Sequence, residues 1–308
     1  MVPQSDLGPT VVAPGVLRLT APNPSPMTYT GTQTYVVTAA DGRGPAVVID
    51  PGPDHPGHRA AVLAALSEAP SAILVTHSHL DHTAGAPAFG AETGAPVLAF
   101  GPHGAGMSTR MRTLAEAAPA LEGGEGADRD FVPDREMADG GVLDLGAWQV
   151  EALHTPGHLS NHLAFVLRDR GVVFTGDAVM GWSSTLVSPP EGDMAAQMRT
   201  LGRLSALVAD LPGSRLMPGH GPVVENPVQL LEEQTAHRTA RRRAVEEALQ
   251  AGPASAETLA ARLYMDTPAA LLPAAARNVL ATLLQLEEEG AATAEGALGI
   301  RARFRLGG

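Results

Sequence analysis

There is no cysteine in the 308 residues, which removes disulfides, thiolate metal ligands and a cysteine nucleophile together. Lysine is missing as well, so all the basic residues are arginine, a bias that goes with the alanine-rich composition. Aromatic residues make up only 4% of the chain and are almost absent after residue 228, where a surface that stacks on nucleic-acid bases is correspondingly harder to build. No uninterrupted apolar run approaches the ~20 residues of a membrane span. The opening, MVPQSDLGPTVV, carries neither a basic leader nor an apolar core, so a cytoplasmic address and no membrane partner are expected. The formal net charge is −12, a field that repels polyanions unless a local basic patch offsets it.

The length suits one large core plus a small second domain. Short β-rich runs, each bounded by Gly or Pro, predict strands at Gly15–Leu19, Thr34–Thr38 and Ala46–Ile49. A helical stretch, His58–Ala69, leads into the apolar run Ala72–Val75. The segment Gly101–Gly141, rich in Gly, Pro and acids, reads in part as a long surface loop or lid. Three later apolar runs, Val150–Leu153, Val172–Phe174 and Arg215–Met217, each stop just short of a His or Asp, so strand ends present the candidate ligands along one edge of an α/β sheet. The character changes near residue 225. Asn226–Pro227 is a helix start, and helices are expected to Gln250, over Ser255–Tyr264 and over Leu271–Glu289, followed by an alternating strand, Ile300–Leu306. Three helices and a hairpin is the order of a winged helix, which divides the chain into 1–225 and 226–308.

The chemistry is concentrated in Thr76-His77-Ser78-His79-Leu80-Asp81-His82-Thr83-Ala84-Gly85. Directly after an apolar strand, an H-x-H-x-D-H loop gathers three imidazoles and a carboxylate into one small volume, the N and O donors that zinc and similar ions prefer. Surface histidines on a turn are the bland alternative, but further donors follow downstream: His158 in HTPGH, Asp177 in TGD and His220 in PGHG, each beside a glycine. Two cations held close together lower the pKa of a shared water and generate a hydroxide nucleophile at neutral pH. Asp81 is a candidate to orient that hydroxide as well as to bind metal. His162 is a candidate proton donor or substrate contact, or else a packing histidine. His154 flanks a ligand; Ser184 and Thr185 are pocket or turn hydroxyls; His55, His58, His103 and His237 read as surface residues.

The ordered set H-x-H-x-D-H, H, D, H resembles that of the metallo-β-lactamase superfamily. The resemblance implies an αββα sandwich, with His77, His79 and His158 on one metal, Asp81, His82 and His220 on the other, and Asp177 bridging them. The bridging Asp is similar to that of dinuclear hydrolases such as glyoxalase II and the ribonucleases. Asn23–Thr28, Gly31–Tyr35, Asp50-Pro51-Gly52 and Gly176–Gly181 resemble the lactamase-β-like group that carries an added winged-helix domain. Gln33, Leu159 and Asn161 depart from that group's usual Asn, Thr and Asp, which touches substrate contacts rather than metal ligands. The implied activity is metal-dependent hydrolysis of a small ester, thioester or lactone by a hydroxide bridging two metals, zinc by default, with manganese or iron compatible. The alternative is an endoribonuclease acting on single-stranded RNA, as one member of that group does. Arg241–Arg243 and Arg301, Arg303 and Arg305 favour it, whereas residues 228–308 hold ten acids against nine arginines. A DNA-binding regulator has no use for seven metal donors. The added domain is expected to cover the pocket or to form a homodimer contact.

Overall fold

The computed structural model describes residues 8–121 and 126–307. Its first sheet follows chain order: β1 (Thr10–Ala13), β2 (Val16–Thr20), β3 (Gln33–Val37), β4 (Val47–Ile49), β5 (Ala72–Leu74), β6 (Val97–Ala99) and β7 (Arg135–Glu136). Pairing is antiparallel from β1 to β4 and parallel from β4 to β7. The helices α1 (Pro56–Ala64), α2 (Leu80–Thr83), α3 (Ala86–Thr93) and α4 (Thr109–Ala117) lie in the parallel crossovers. A second sheet is built from β8 (Val142–Asp144), β9 (Gln149–His154), β10 (Leu163–Leu167), β11 (Val172–Gly176) and β12 (Arg215–Pro218), with α5 (Met194–Ala209) joining the parallel pair β11 and β12.

Central strands are apolar on both faces because both faces are covered. With a side-chain period of two, Tyr35 and Val37 of β3 enter the layer between the sheets and Val36 the layer outside. The inner layer joins Tyr35, Ile49 and Leu74 to Phe165, Phe174 and Met217 of the second sheet. Outside the first sheet, Val36, Val48 and Ile73 meet Val62 of α1 and Phe89 of α3. Outside the second, Val166, Val173 and Leu216 meet Leu201, Leu204 and Val208 of α5. Four layers in the order αββα result, as expected.

The rest of the chain forms α6 (Pro227–Leu249), α7 (Ala256–Leu263), α8 (Leu272–Glu288) and a small antiparallel sheet of β13 (Ala254–Ser255), β14 (Ala292–Glu295) and β15 (Arg303–Leu306). Helix α6 serves two cores: Leu231 packs on the second sheet, while Val245 and Leu249 join Leu259, Val279, Leu283 and Phe304. Residues 269–288 are long and apolar enough to cross a membrane by composition, and half of that window is buried inside the protein.

Three segments differ from the sequence expectations. Part of the supposed lid is α4, capped by Ser108, whose hydroxyl accepts from the Met111 amide, and it docks Met111 and Leu114 into the C-terminal core. Helix α5 was not anticipated, although Asp193 caps it and Leu201, Leu204 and Val208 repeat at helical spacing. The first helix ends at Ala64 and the last strand begins at Arg303, both shorter than the periodicity suggests.

Candidate metal centre

Every donor sits where a strand ends. The loop after β5 carries His77 and His79 and runs into α2, which carries Asp81 and His82; His158 follows β9, Asp177 follows β11 and His220 follows β12. The fold brings all seven together in two groups of facing ligand atoms, His77, His79, His158 and Asp177 in one, and Asp81, His82 and His220 in the other. In the first, His79 Nδ1 lies 3.0 Å from both His77 Nε2 and His158 Nε2. In the second, His220 Nε2 is 3.4 Å from His82 Nε2 and 3.3 Å from Asp81 Oδ2. Asp177 lies between them, with Oδ2 at 3.2 Å from His220 Nε2 and 3.8 Å from His158 Nε2, and Oδ1 at 3.6 Å from His82 Nε2.

Hydrogen bonds behind the donors fix which ring nitrogen faces inward. Asp50 is the hub: it accepts from the Thr76 amide at 2.7 Å, the Thr76 hydroxyl at 2.8 Å and His82 Nδ1 at 2.9 Å. Because Thr76 spends its only hydroxyl proton on Asp50, its oxygen accepts from His77 Nδ1 at 2.9 Å. His158 Nδ1 donates to the Leu186 carbonyl at 2.7 Å, with Thr185 Oγ1 at 3.1 Å, and His220 Nδ1 faces the Gly31 carbonyl at 3.3 Å. His77 and His158 therefore each turn a bare Nε2 into the site, and His82 and His220 turn inward an Nε2 that is free to bind once its proton is displaced. Thr32 donates to Asp81 Oδ2 at 2.7 Å and orients that carboxylate.

The donor set fits a pair of divalent cations. Asp177 Oδ1 is buried without a hydrogen-bond partner, and bare imidazole nitrogens confront one another at distances that only a proton or a cation between them makes favourable. Space is reserved as well. A Cβ on Gly219 would fall on Asp177 Oδ1 and 2.8 Å from His82 Cε1, and one on Gly176, at φ +47°, 2.7 Å from His162 Nε2.

Electrostatics divide the two groups. Burial lowers the imidazoles of the first, His79 to about 3 and His77 well below its ordinary value, with His158 lowered too, so all three are neutral ligands at pH 7. Burial acts against charge in the second group too, but Asp81, Asp50 and Asp177 outweigh it and hold His82 at about 9, while Asp177 and Asp81 raise His220 well above its ordinary value. Against the effect of burial, His82 and His220 keep Asp81 and Asp177 below the usual carboxylate range. Clustered acids thus draw positive charge into this group, and a cation there displaces protons from two imidazoles.

His162 lies behind the site rather than in it. It is fully buried, its Nε2 accepts from the Asp177 amide at 3.1 Å and its Nδ1 faces Thr155 Oγ1 at 2.8 Å, so both nitrogens are engaged away from the cleft. Among the other sequence candidates, Thr185 is buried against His158, Ser184 lines a neighbouring cavity, and His154 stacks on Phe100. His58 corrects the surface reading: it is buried, with Nε2 2.8 Å from Thr34 Oγ1. Gln33, Leu159 and Asn161 are buried too, Gln33 accepting from Thr20 and Asn161 from Ser78. Asp50 and Thr32 were missed as site residues; the available signal was an acid before Pro-Gly at the end of β4, beside the histidine loop.

A cavity of about 580 Å³ opens over His79, Asp81, His158, Asp177 and His220. Its far wall is mostly apolar and comes from both parts of the chain: Met27, Met180 and Leu186 on one side, Leu271, Pro273 and Ala274 of the C-terminal region on the other, with Arg277 beside them.

Comparison with known proteins agrees with this geometry. A family model described as the metallo-beta-lactamase superfamily matches residues 27–220. The chain belongs to that superfamily. Its C-terminal region matches the beta-lactamase associated winged helix domain over residues 255–301. The superfamily chain is 29% identical over 293 residues to the beta-lactamase-like protein 2 homolog of Drosophila melanogaster, covering 91% of this chain and 90% of that protein. It is 30% identical to the atrochrysone carboxyl ACP thioesterase of Aspergillus fumigatus, over 78% of this chain and 66% of that protein. A metallo-beta-lactamase family protein from Thermus thermophilus superposes with a TM-score of 0.74 at 27% identity, covering 96% of this chain and all of that one, 100%. The protein is a superfamily hydrolase with a His and Asp metal-binding group.

Proposed function

We propose that the protein is a binuclear metal-dependent hydrolase of small acyl substrates, thioesters foremost. The observation that carries this reading is the cavity itself: five of the seven donors at its floor and a wall that is mostly apolar, suited to an acyl chain. The thioesterase named among the relatives points the same way. His77, His79 and His158 would hold one cation, Asp81, His82 and His220 the other, and Asp177 would reach both. Zinc fits imidazole and carboxylate donors best, with manganese or iron as alternatives. When bound, such a pair supplies Lewis acidity and a water ionised at neutral pH. Asp81, the most exposed of the donors, has one oxygen fixed by Thr32, which supports a role for it in orienting an attacking water. His162 acts as a positioning residue that holds the Asp177 turn through its amide.

Leu271, Pro273 and Ala274 give the winged-helix region the role of a substrate wall, with the boundary placed between residues 225 and 226 and α6 shared across it. This division of labour suits the acyl reading better than cleavage of RNA. Arg242 is tied to Glu246 and Glu289, Arg301 to Glu257 and Arg305 to Glu295, which leaves less free positive charge for phosphates. A cytoplasmic setting agrees with a cysteine-free chain.

The test is turnover of a panel of thioesters, lactones and single-stranded RNA by the metal-loaded protein and its Asp81→Ala variant. Acyl hydrolysis lost in the variant supports the reading. Cleavage of RNA with inert acyl substrates sinks it.

A further inference from the structure

Beside the catalytic cavity lies a second chamber of about 240 Å³ between α6, α8 and the loop after β11. The two adjoin, with Pro26, Met27, Met180, Leu186, Leu271 and Ala274 lining both. The distinctive feature of the second chamber is its charge. Arg238, Arg241 and His237 of α6 all line it.

Arg238 is 8% exposed, and no carboxylate among the described residues pairs with it. Its guanidinium donates to the Thr185 carbonyl and, at 3.1 Å, to Asn278 Oδ1. Those neutral acceptors account for where the side chain lies but leave its charge uncompensated, and a buried charge without a counter-ion is unfavourable. Burial accordingly pulls it down to about 10. Arg241 is likewise without a carboxylate among the described residues: it donates to the Leu263 carbonyl at 3.2 Å and lies over the Tyr264 ring at 4.3 Å. Burial and then the positive charge of both arginines depress His237. In a chain of net charge −12, two neighbouring guanidiniums face one chamber whose lining contains no acid.

The chamber is also close to the chemistry. Thr185, whose carbonyl receives Arg238, places its hydroxyl 3.1 Å from His158 Nδ1, so one residue separates the guanidinium from a metal-binding imidazole.

We propose that this chamber is an anion subsite of the catalytic cleft, taking a phosphate or carboxylate borne by the substrate at the end remote from the scissile bond. The proposal rests on the acyl-hydrolase reading for the identity of the substrate, but not for the subsite itself. Arg238 forms the floor and Arg241 the adaptable rim, with Met27, Met180 and Leu186 holding the apolar arm that runs toward the metal donors.

Kinetics and binding test it separately. The metal-loaded protein is offered acetyl-phosphopantetheine against acetyl-pantetheine, which differ by a phosphate on the thiol side, and glutaryl- against butyryl-pantetheine, which differ by a carboxylate on the acyl side. One charged member of a pair is expected to be preferred by about tenfold or more in kcat/KM. That ratio should fall toward one in Arg241→Gln and Arg238→Gln and recover in part in Arg241→Lys. Arg241 carries the test if Arg238→Gln does not fold. In a Trp148→Phe background, Trp182 at the chamber wall is the sole tryptophan and reports binding of the unreactive S-methyl phosphopantetheine against S-methyl pantetheine. Charge-selective binding without turnover keeps the subsite and removes the thioesterase reading. Turnover with no charge preference in either readout, or a preference that survives both arginine substitutions, overturns the subsite.

Discussion

Asp50→Asn tests whether the hydrogen bonds behind the donors set the competence of the metal centre. Asp50 sits at φ +50°, a conformation that asparagine tolerates better than other replacements, so the backbone need not move. The side-chain shape is kept as well, and one amide oxygen still accepts from the Thr76 amide, now 2.7 Å from Asp50 Oδ1. The other position becomes an NH2 group against Thr76 Oγ1 and His82 Nδ1, which at present approach Oδ2 to 2.8 and 2.9 Å. Donor would meet donor. Relief comes when the His82 proton moves to Nε2, the nitrogen that faces Asp81 and Asp177, and a protonated nitrogen binds no metal. Loss of such an outer carboxylate typically weakens metal binding by about 10- to 100-fold, or ~1.4–2.7 kcal/mol. The expected outcome is a protein that folds, retains one cation tightly on His77, His79 and His158, and surrenders the second to a mild chelator, with turnover reduced in parallel. Metal content after graded chelation, alongside thermal melting, reads this directly. An Asp50→Asn protein that holds both metals with wild-type affinity would refute the claim that Asp50 controls the tautomer of His82.

Gly219→Ala should abolish the second metal while leaving the sheets intact, since its Cβ would overlap Asp177 Oδ1 and press on His82; metal stoichiometry falls with little change in circular dichroism. His162→Leu leaves the Asp177 amide buried without an acceptor and should cost about 1–3 kcal/mol in denaturant unfolding, whereas His162→Gln, which still accepts, should lose less. Loading apo-protein with zinc near pH 7 should release about two protons from His82 and His220 and about one more from the water that ionises on the metal pair, seen as a dependence of calorimetric heat on buffer ionisation; release of one proton or none would contradict the charge balance of the second group. His58 titrates at about 4 because burial disfavours its charge. Its unfolded value of 6.5 is higher, so the unfolded chain binds the proton more tightly, and stability contributed by neutral His58 is complete above pH 6.5 and lost as pH falls toward 4. The loss amounts to roughly 3 kcal/mol. The gap in unfolding free energy between about pH 7 and about pH 4.5 should shrink by a large part of that in His58→Gln.

The clustering of the candidate metal donors was legible because their signal is local: a motif at a strand end, with Gly beside each later donor, needs no knowledge of the fold to be read. Sandwich and winged helix were legible through resemblance and through apolar runs of the right length. What stayed hidden depends on contacts between distant segments. Asp50 is 26 residues from Thr76 and 32 from His82, and only the parallel pairing of β4 with β5 shows that its carboxylate orders the histidine loop. His58 reads as a surface residue from its polar helix start, yet Thr34 on a neighbouring strand takes it into the interior.

Helix α4 marks the same limit from the other direction. Its nine residues hold only two large apolar side chains, a turn apart, a pattern too sparse to hold a helix in isolation. What stabilises it is a partner more than 170 residues later: Arg110 donates to the Leu284 carbonyl and Glu287, while Met111 and Leu114 fill the C-terminal core. The helix is therefore a clasp between the catalytic layers and the domain that walls the cavity. It follows that the apolar wall of Leu271, Pro273 and Ala274 is held in register with the metal donors by α4 from one side and by the shared α6 from the other. Arg110→Ala together with Met111→Ala should then raise KM for long acyl thioesters more than it lowers kcat, and a loss confined to kcat would show that the wall does not depend on the clasp.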